Sequence, residues 1–173
     1  MSLPRELFIK DGRLYQRPVR ELDEMRRNKV EYHNVTFSDV ISLNGIRGRK
    51  VDMELILRPG DKEKLYQKFA LRFAQDEKYQ TAISFRPHES VLKVDRKFSG
   101  SRRAIIHQRR SLVNSTNGEL KMRVILDRFS AEVFVNDGEH VLTATMYTGQ
   151  SADGISFFAD GTVNMDVVKY DLV

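Results

Sequence analysis

Three carboxylates stand close together in the chain: Asp127, Glu132 and Asp137. Paired carboxylates are the machinery of glycoside hydrolysis, at about 5–5.5 Å apart in retaining enzymes and about 6.5–9.5 Å in inverting ones. Asp127 and Asp137 sit in turn sequences, where an aspartate side chain bonds its own backbone. Glu132 alternates with Ala131 and Val133 and shares a strand face with Phe134, which reads as a strand residue at a sheet surface or at an interface with another domain. The other chemistries find less. His33, His88, His107 and His140 show neither the i, i+4 nor the i, i+2 spacing of metal ligands, and there is no cysteine to help them. A G-x-S-x-G elbow is absent, and the ten glycines are scattered at turns with no phosphate loop among them. One cationic run remains: Arg96, Lys97, Arg102, Arg103, Arg109 and Arg110 within fifteen residues, with no acid between them. Such a run can hold an anion or simply be solvated.

The elements that would position these groups are strands. Val51, Met53, Leu55 and Leu57 share one face, with Asp52, Glu54 and Arg58 opposite. Phe69, Leu71 and Phe73 repeat the alternation, as do Leu120, Met122, Val124 and Leu126, and then Val163, Met165 and Val167. Period-2 patterning of this kind marks strands buried on one face. Tyr79, Thr81, Ile83 and Phe85 also share a face, and Ile83 places that face towards the core. Asp11-Gly12 and Asn136-Asp137-Gly138 read as tight hairpin turns. Asn44-Gly45, Pro59-Gly60, Asn117-Gly118, Asp153-Gly154 and Asp160-Gly161 punctuate the rest. Roughly a dozen strands at spacings of about 8–12 residues predict an all-β fold, a two-sheet antiparallel β-sandwich of jelly-roll or concanavalin-like type. The window Val19 to Arg27 carries a short helical segment with Leu22 and Met25 at i, i+3. A segment that short needs docking onto the sheets to be stable.

Composition bounds the rest. The chain has 173 residues, 40% hydrophobic and 31% charged, with a net charge of +5. A chain of this size buries roughly 70% of its unfolded surface and needs no disulfide staples. We expect one sandwich domain over 1–173, with residues 1–28 a leading hairpin and linker and 29–173 the body. No apolar run approaches the ~18 residues of a membrane span. Zero cysteines suit a reducing compartment, so a cytoplasmic location is expected. Splitting the charge shows 18 Lys/Arg against 13 Asp/Glu in residues 1–86, and 11 of each in 87–173. Only Phe98 interleaves with the arginine run, so nucleic acid is not favoured as a partner.

Asp127-Arg128-Phe129-Ser130-Ala131-Glu132-Val133-Phe134-Val135-Asn136-Asp137-Gly138 resembles the D-R-S-S-V-E-V-F-V-N-D-G signature of the C-terminal domain of glycoside hydrolase family 32, the β-fructofuranosidases. The opening Leu3-Pro4-Arg5-Glu6-Leu7, followed by Asp11-Gly12-Arg13-Leu14-Tyr15-Gln16-Arg17-Pro18-Val19, resembles the strand and link leading into that domain. Phe157–Leu172 is similar to its last hairpin, whereas residues 30–115 share only the strand rhythm. The resemblance implies a sandwich appended to a five-bladed propeller, which hydrolyses sucrose, sucrose 6-phosphate, levan or inulin through N-D-P-N-G, R-D-P and E-C motifs. None of the three motifs occurs in this chain. Five blades of about 40–45 residues would not fit in it either.

The resemblance therefore implies an accessory module that is not itself an enzyme, needs no cofactor or metal, and has the propeller as its partner. Asp127, Arg128, Ser130, Glu132, Phe134, Asn136, Asp137 and Gly138 become structural signature residues. Pro4, Arg5, Glu6 and Leu7 become a candidate domain interface, and Arg102 and Arg103 a candidate sugar-phosphate contact. The alternative is a free-standing, lectin-like sugar-binding sandwich. In either case an uncovered apolar face would favour homo-oligomers.

Overall fold

The computed structural model describes residues 3–100, 107–115 and 117–173. A first hairpin stands apart: among the described residues, β1 (Arg5–Lys10) and β2 (Arg13–Pro18) pair only with each other, across the Asp11-Gly12 turn. The remaining strands are β3 (Arg26–Ile41), β4 (Val51–Pro59), β5 (Lys68–Gln75), β6 (Thr81–Arg86), β7 (Val91–Asp95), β8 (Gln108–Leu112), β9 (Leu120–Asp127), β10 (Ser130–Val135), β11 (His140–Thr145) and β12 (Gly154–Leu172). All their pairings are antiparallel.

These ten strands form two sheets joined through the long β12. Its first part, Gly154–Asp160, pairs with β5, which leads on to β6, β7 and β8. Its second part, from Val163 to Asp171, pairs with β4, which leads on to β9, β10 and β11. β3 follows β12 along its other edge through both parts. Asp160-Gly161 therefore does not reverse the chain, and the expected final hairpin is a single strand that crosses from one sheet to the other. The register slips there, between Ala159 and Val163, as a bulge does when it bends a strand. Gly161 has φ 93°, and a Cβ on it would lie 2.9 Å from the Tyr66 Cα, so the bend requires glycine.

The alternating apolar positions meet between the sheets. Met53, Leu55, Leu57, Val124, Val133 and Val167 from one side, and Phe69, Leu71, Phe73, Ile83, Phe85 and Phe157 from the other, are fully buried in one core. The Val19 to Arg27 window is a 3-10 turn over Arg20–Met25, not an α-helix. Leu22 anchors it, while Met25 is 41% exposed, because the chain enters β3 at Arg26 after about two 3-10 turns.

Candidate interaction site at the hairpin seat

Glu132 and Phe134 point away from the main core, since their neighbours Ala131, Val133 and Val135 fill it. Both are nevertheless buried, at 1% and 3% exposure. The first hairpin and the 3-10 turn cover them. Glu132 Oε1 accepts a bond from the Leu3 backbone N–H at 2.6 Å, and its Oε2 accepts from Arg5 Nε at 3.1 Å and Nη2 at 2.7 Å. Arg5 also donates to Gln16 Oε1 at 3.0 Å and Thr143 Oγ1 at 2.8 Å. Its guanidinium lies 5.6 Å from the centre of the Phe134 ring. Phe134 packs with Leu22 and Ile125 in a small second core, beside Leu3, Val141 and Leu172.

Both oxygens of Glu132 are thus engaged by backbone and arginine, the hydrogen-bonding of a structural carboxylate. Asp127 Oδ1 accepts from the Arg128 N–H at 2.7 Å in an exposed turn. Asp137 Oδ1 accepts from Lys121 Nζ at 2.6 Å. Asn136 Oδ1 accepts from the Lys121 N–H at 3.3 Å. Asn136 and Asp137 adopt φ of 48° and 61°, and Gly138 follows at 94°. A Cβ on Gly138 would fall 1.8 Å from the Gln16 carbonyl oxygen, so this turn presses directly on β2. Arg13 Nη1 donates to Glu139 Oε1 at 2.6 Å beside it. Ser130 opens β10 between Asp127 and Thr145. The Arg128 carbonyl accepts from the buried Arg49 and, at 3.2 Å, from Gln150.

Among the opening residues, Pro4 is exposed and accepts the Val19 N–H at 3.3 Å. Glu6 pairs with Arg17 at 2.6 Å and Arg20 at 3.2 Å. The Arg17 bond, helped by Arg20, holds its carboxyl below the usual range. Leu7, Ile9 and Leu14 are 63%, 77% and 55% exposed. Leu7 and Ile9 share a face of β1 that Leu14, paired with Ile9, continues on β2. Arg102 and Arg103 lie outside the described residues. Of the rest of that run, Arg109 and Arg110 are exposed on β8. His33 lies on β3, His140 at the start of β11, His88 between β6 and β7 and His107 just before β8; His88 bonds Gln67 and His140 bonds Ser111.

Beneath the hairpin lies a cleft of about 380 Å³, lined by Phe8, Arg17 and Pro18 above and by Ile56, Lys121 and Asp166 below. Its base holds a charge network that the sequence did not reveal. Asp52, in a polar position of β4, is fully buried. It accepts bonds from Arg26 Nε at 2.8 Å, Arg123 Nε at 2.9 Å and Arg123 Nη2 at 2.6 Å. Burial works against the charge on both arginines, but the bonds to Asp52 outweigh it and push both above the ordinary arginine value. The partners lie 26 and 71 residues from Asp52, so no local pattern could have shown them.

The family model described as "Glycosyl hydrolases family 32 C terminal" matches residues 21–172. The chain belongs to this family. The match begins after β2, so the first hairpin lies outside it. A sucrose-6-phosphate hydrolase of Staphylococcus xylosus is 27% identical over 99% of this chain and 34% of its own length. A levanase of Bacillus subtilis is 29% identical over 91% of this chain and 24% of its own length. The chain thus spans about a quarter to a third of these curated relatives. The structure of sucrose-6-phosphate hydrolase from Lactobacillus gasseri superposes with a TM-score of 0.79, at 25% identity, over 98% of this chain and 33% of that one. An exo-inulinase from Aspergillus awamori, at 18% identity, shares the fold with a TM-score of 0.81.

Proposed function

We propose that this sandwich is the non-catalytic module of a β-fructofuranosidase-type hydrolase, and that it holds the propeller catalytic domain in its folded state. The hairpin seat carries this reading. The hairpin lies outside the family match, yet it is bolted to the signature strand through Glu132, and it projects Leu7, Ile9 and Leu14 into solvent. Three neighbouring apolar side chains on a two-stranded ribbon are suited to packing against a further layer. A relative of which this chain matches only about a third supplies a further layer of the right kind. Substrate chemistry then belongs to the partner: sucrose, sucrose 6-phosphate or a fructan. A cytoplasmic location accords with the absence of cysteine.

The test is to mix this chain with a separately produced N-terminal catalytic part of a sucrose-6-phosphate hydrolase. A stable complex with raised hydrolase half-life on heating is expected, lost when Leu7 and Ile9 are both changed to Asp. No association, and no change in half-life, would overturn the reading. Alone at high concentration, the chain should self-associate through the same hairpin, and sedimentation should show the effect weakened in the Leu7→Asp, Ile9→Asp variant.

A further inference from the structure

The outer face of the other sheet carries a second feature. Across β5, β6 and β7 the cross-strand rows run Ala70, Ser84, Lys93 and Arg72, Ala82, Asp95. Small residues therefore floor the middle of the face, and long side chains wall it. The result is a trough of about 180 Å³, lined by Lys68, Arg72, Gln80, Ser84, Lys93 and Asp95 among others, with Phe98 at its rim, 54% exposed.

Its charges are poorly matched. Lys93 pairs with Asp95 at 3.2 Å. Lys68 and Arg72 have no hydrogen bond or ion pair among the described residues. Both lie over the ring of Phe158 instead, at 5.8 Å and 5.4 Å from its centre. Nor do the residues outside the description contain an acid: they are Met1, Ser2, Ser101–Ile106 and Thr116. Asp160, opposite Lys68 in the register, is exposed and forms no ion pair with it among the described residues. Burial, together with Arg86, Lys93 and Arg72, works against the charge of Lys68, outweighs the attraction of Asp95 and lowers the lysine pKa. With Lys68, Arg72 and Lys93 against the single carboxylate of Asp95, the lining keeps an excess of positive charge, a cost in the empty protein that an anion placed there reduces. Lysine offers a point charge and arginine a planar fork, the pair of donors that suits a phosphate. The Ser84 hydroxyl and the Gln80 amide add neutral hydrogen-bonding capacity at the floor and wall.

We propose that this trough binds a phosphate group, free or as the monoester of a small sugar. The site is separate from the hairpin seat and does not depend on the proposed propeller partner.

The experiment is a titration of the 173-residue chain, followed by calorimetry and by backbone amide shifts, with inorganic phosphate, fructose 6-phosphate and fructose. Millimolar binding of phosphate or fructose 6-phosphate is expected, with shifts centred on Ala70, Ala82 and Ser84 and no response to fructose. Tighter binding of the sugar ester would assign the natural ligand as a sugar phosphate that uses Phe98; equal binding would assign it as the free anion. Lys68→Ala with Arg72→Ala should weaken binding at least about tenfold, roughly the value of one lost charge-assisted contact. Lys68→Arg should retain it. Lys62→Ala, a cation removed from an exposed loop elsewhere on the surface, should change nothing. Silence at about 20 mM phosphate and ester, shifts mapping away from β5 and β6, or equal binding of fructose would overturn the proposal. If the double variant melts early, the amide map of the unaltered chain decides alone.

Discussion

The two outer faces of this sandwich have the same raw material and opposite finishes. On the face of β4, β9 and β10, buried or half-buried charges meet partners: Asp52 sits between Arg26 and Arg123, and Glu132 holds Arg5. A hairpin lies over that face. On the face of β5, β6 and β7, Lys68 and Arg72 share an aromatic ring and no carboxylate, and no strand of the described residues covers them. A charge that is paired and covered serves the fold. A charge left unpaired in a concavity is available to something else.

Mutations should separate the faces by size of effect. Asp52→Ala should cost most, about 3–5 kcal/mol in denaturant unfolding, because it removes the fully buried carboxylate that both arginines share and leaves Arg26 with Glu54 and Arg123 with Asp23, both more exposed. Phe134→Ala should follow at about 3 kcal/mol, since it hollows the small core that seats the 3-10 turn. Gly138→Ala should cost about 2 kcal/mol, and its signature should be local. Because a Cβ there meets the Gln16 carbonyl, amide exchange and proteolysis should rise in β1 and β2 before the sandwich loosens. If Gly138→Ala leaves the hairpin as protected as before, the seat is not what holds it.

Acid should also discriminate. The Arg58 bond at 2.7 Å, with the Asn34 N–H, holds the Asp166 carboxyl below its usual range. A lowered folded pKa means that the unfolded chain binds the proton more readily. That stabilisation is complete above about pH 4 and fades as pH falls through the folded value. The denaturation midpoint should therefore drop below about pH 4, less steeply in Arg58→Ala. At the small end, Lys68→Gln with Arg72→Gln should change stability by no more than about 0.5 kcal/mol, because relieved repulsion offsets the lost contacts with the Phe158 ring. A large loss there would place the trough in the same class as the hairpin seat.

What the sequence could reveal follows from range. The alternation of Val51 to Leu57 and of Leu120 to Leu126 placed those strands and their buried faces, because side-chain direction is a local property with period two. The Asp11-Gly12 and Asn136-Asp137-Gly138 turns were legible for the same reason. Asp160-Gly161 has the same composition but bends a strand without reversing it, and only the Tyr66 backbone packed beside it explains the difference. Glu132 reads in the sequence as a strand residue at a sheet surface or a domain interface. Its partner Arg5 is 127 positions away, and neither residue names the other. The trough escaped notice because Lys68, Arg72 and Lys93 come from two strands, and each alone reads as ordinary polar alternation, whereas the conspicuous arginine run lies elsewhere.

The long crossing strand has a consequence for biogenesis. β12 occupies the interior of the ladder, bordered by β3 on one side and by β4 and β5 on the other, yet it follows all the other described strands in sequence. Until it emerges from the ribosome, β3, β4 and β5 have each lost a neighbour, and the two sheets have no shared strand to align them. Closure must wait for β12, and it then depends on contacts between residues more than 100 positions apart. A fold with so much distant pairing closes slowly and keeps open strand edges while it waits. A chain shortened by its last strand would be two half-sheets in search of a seam.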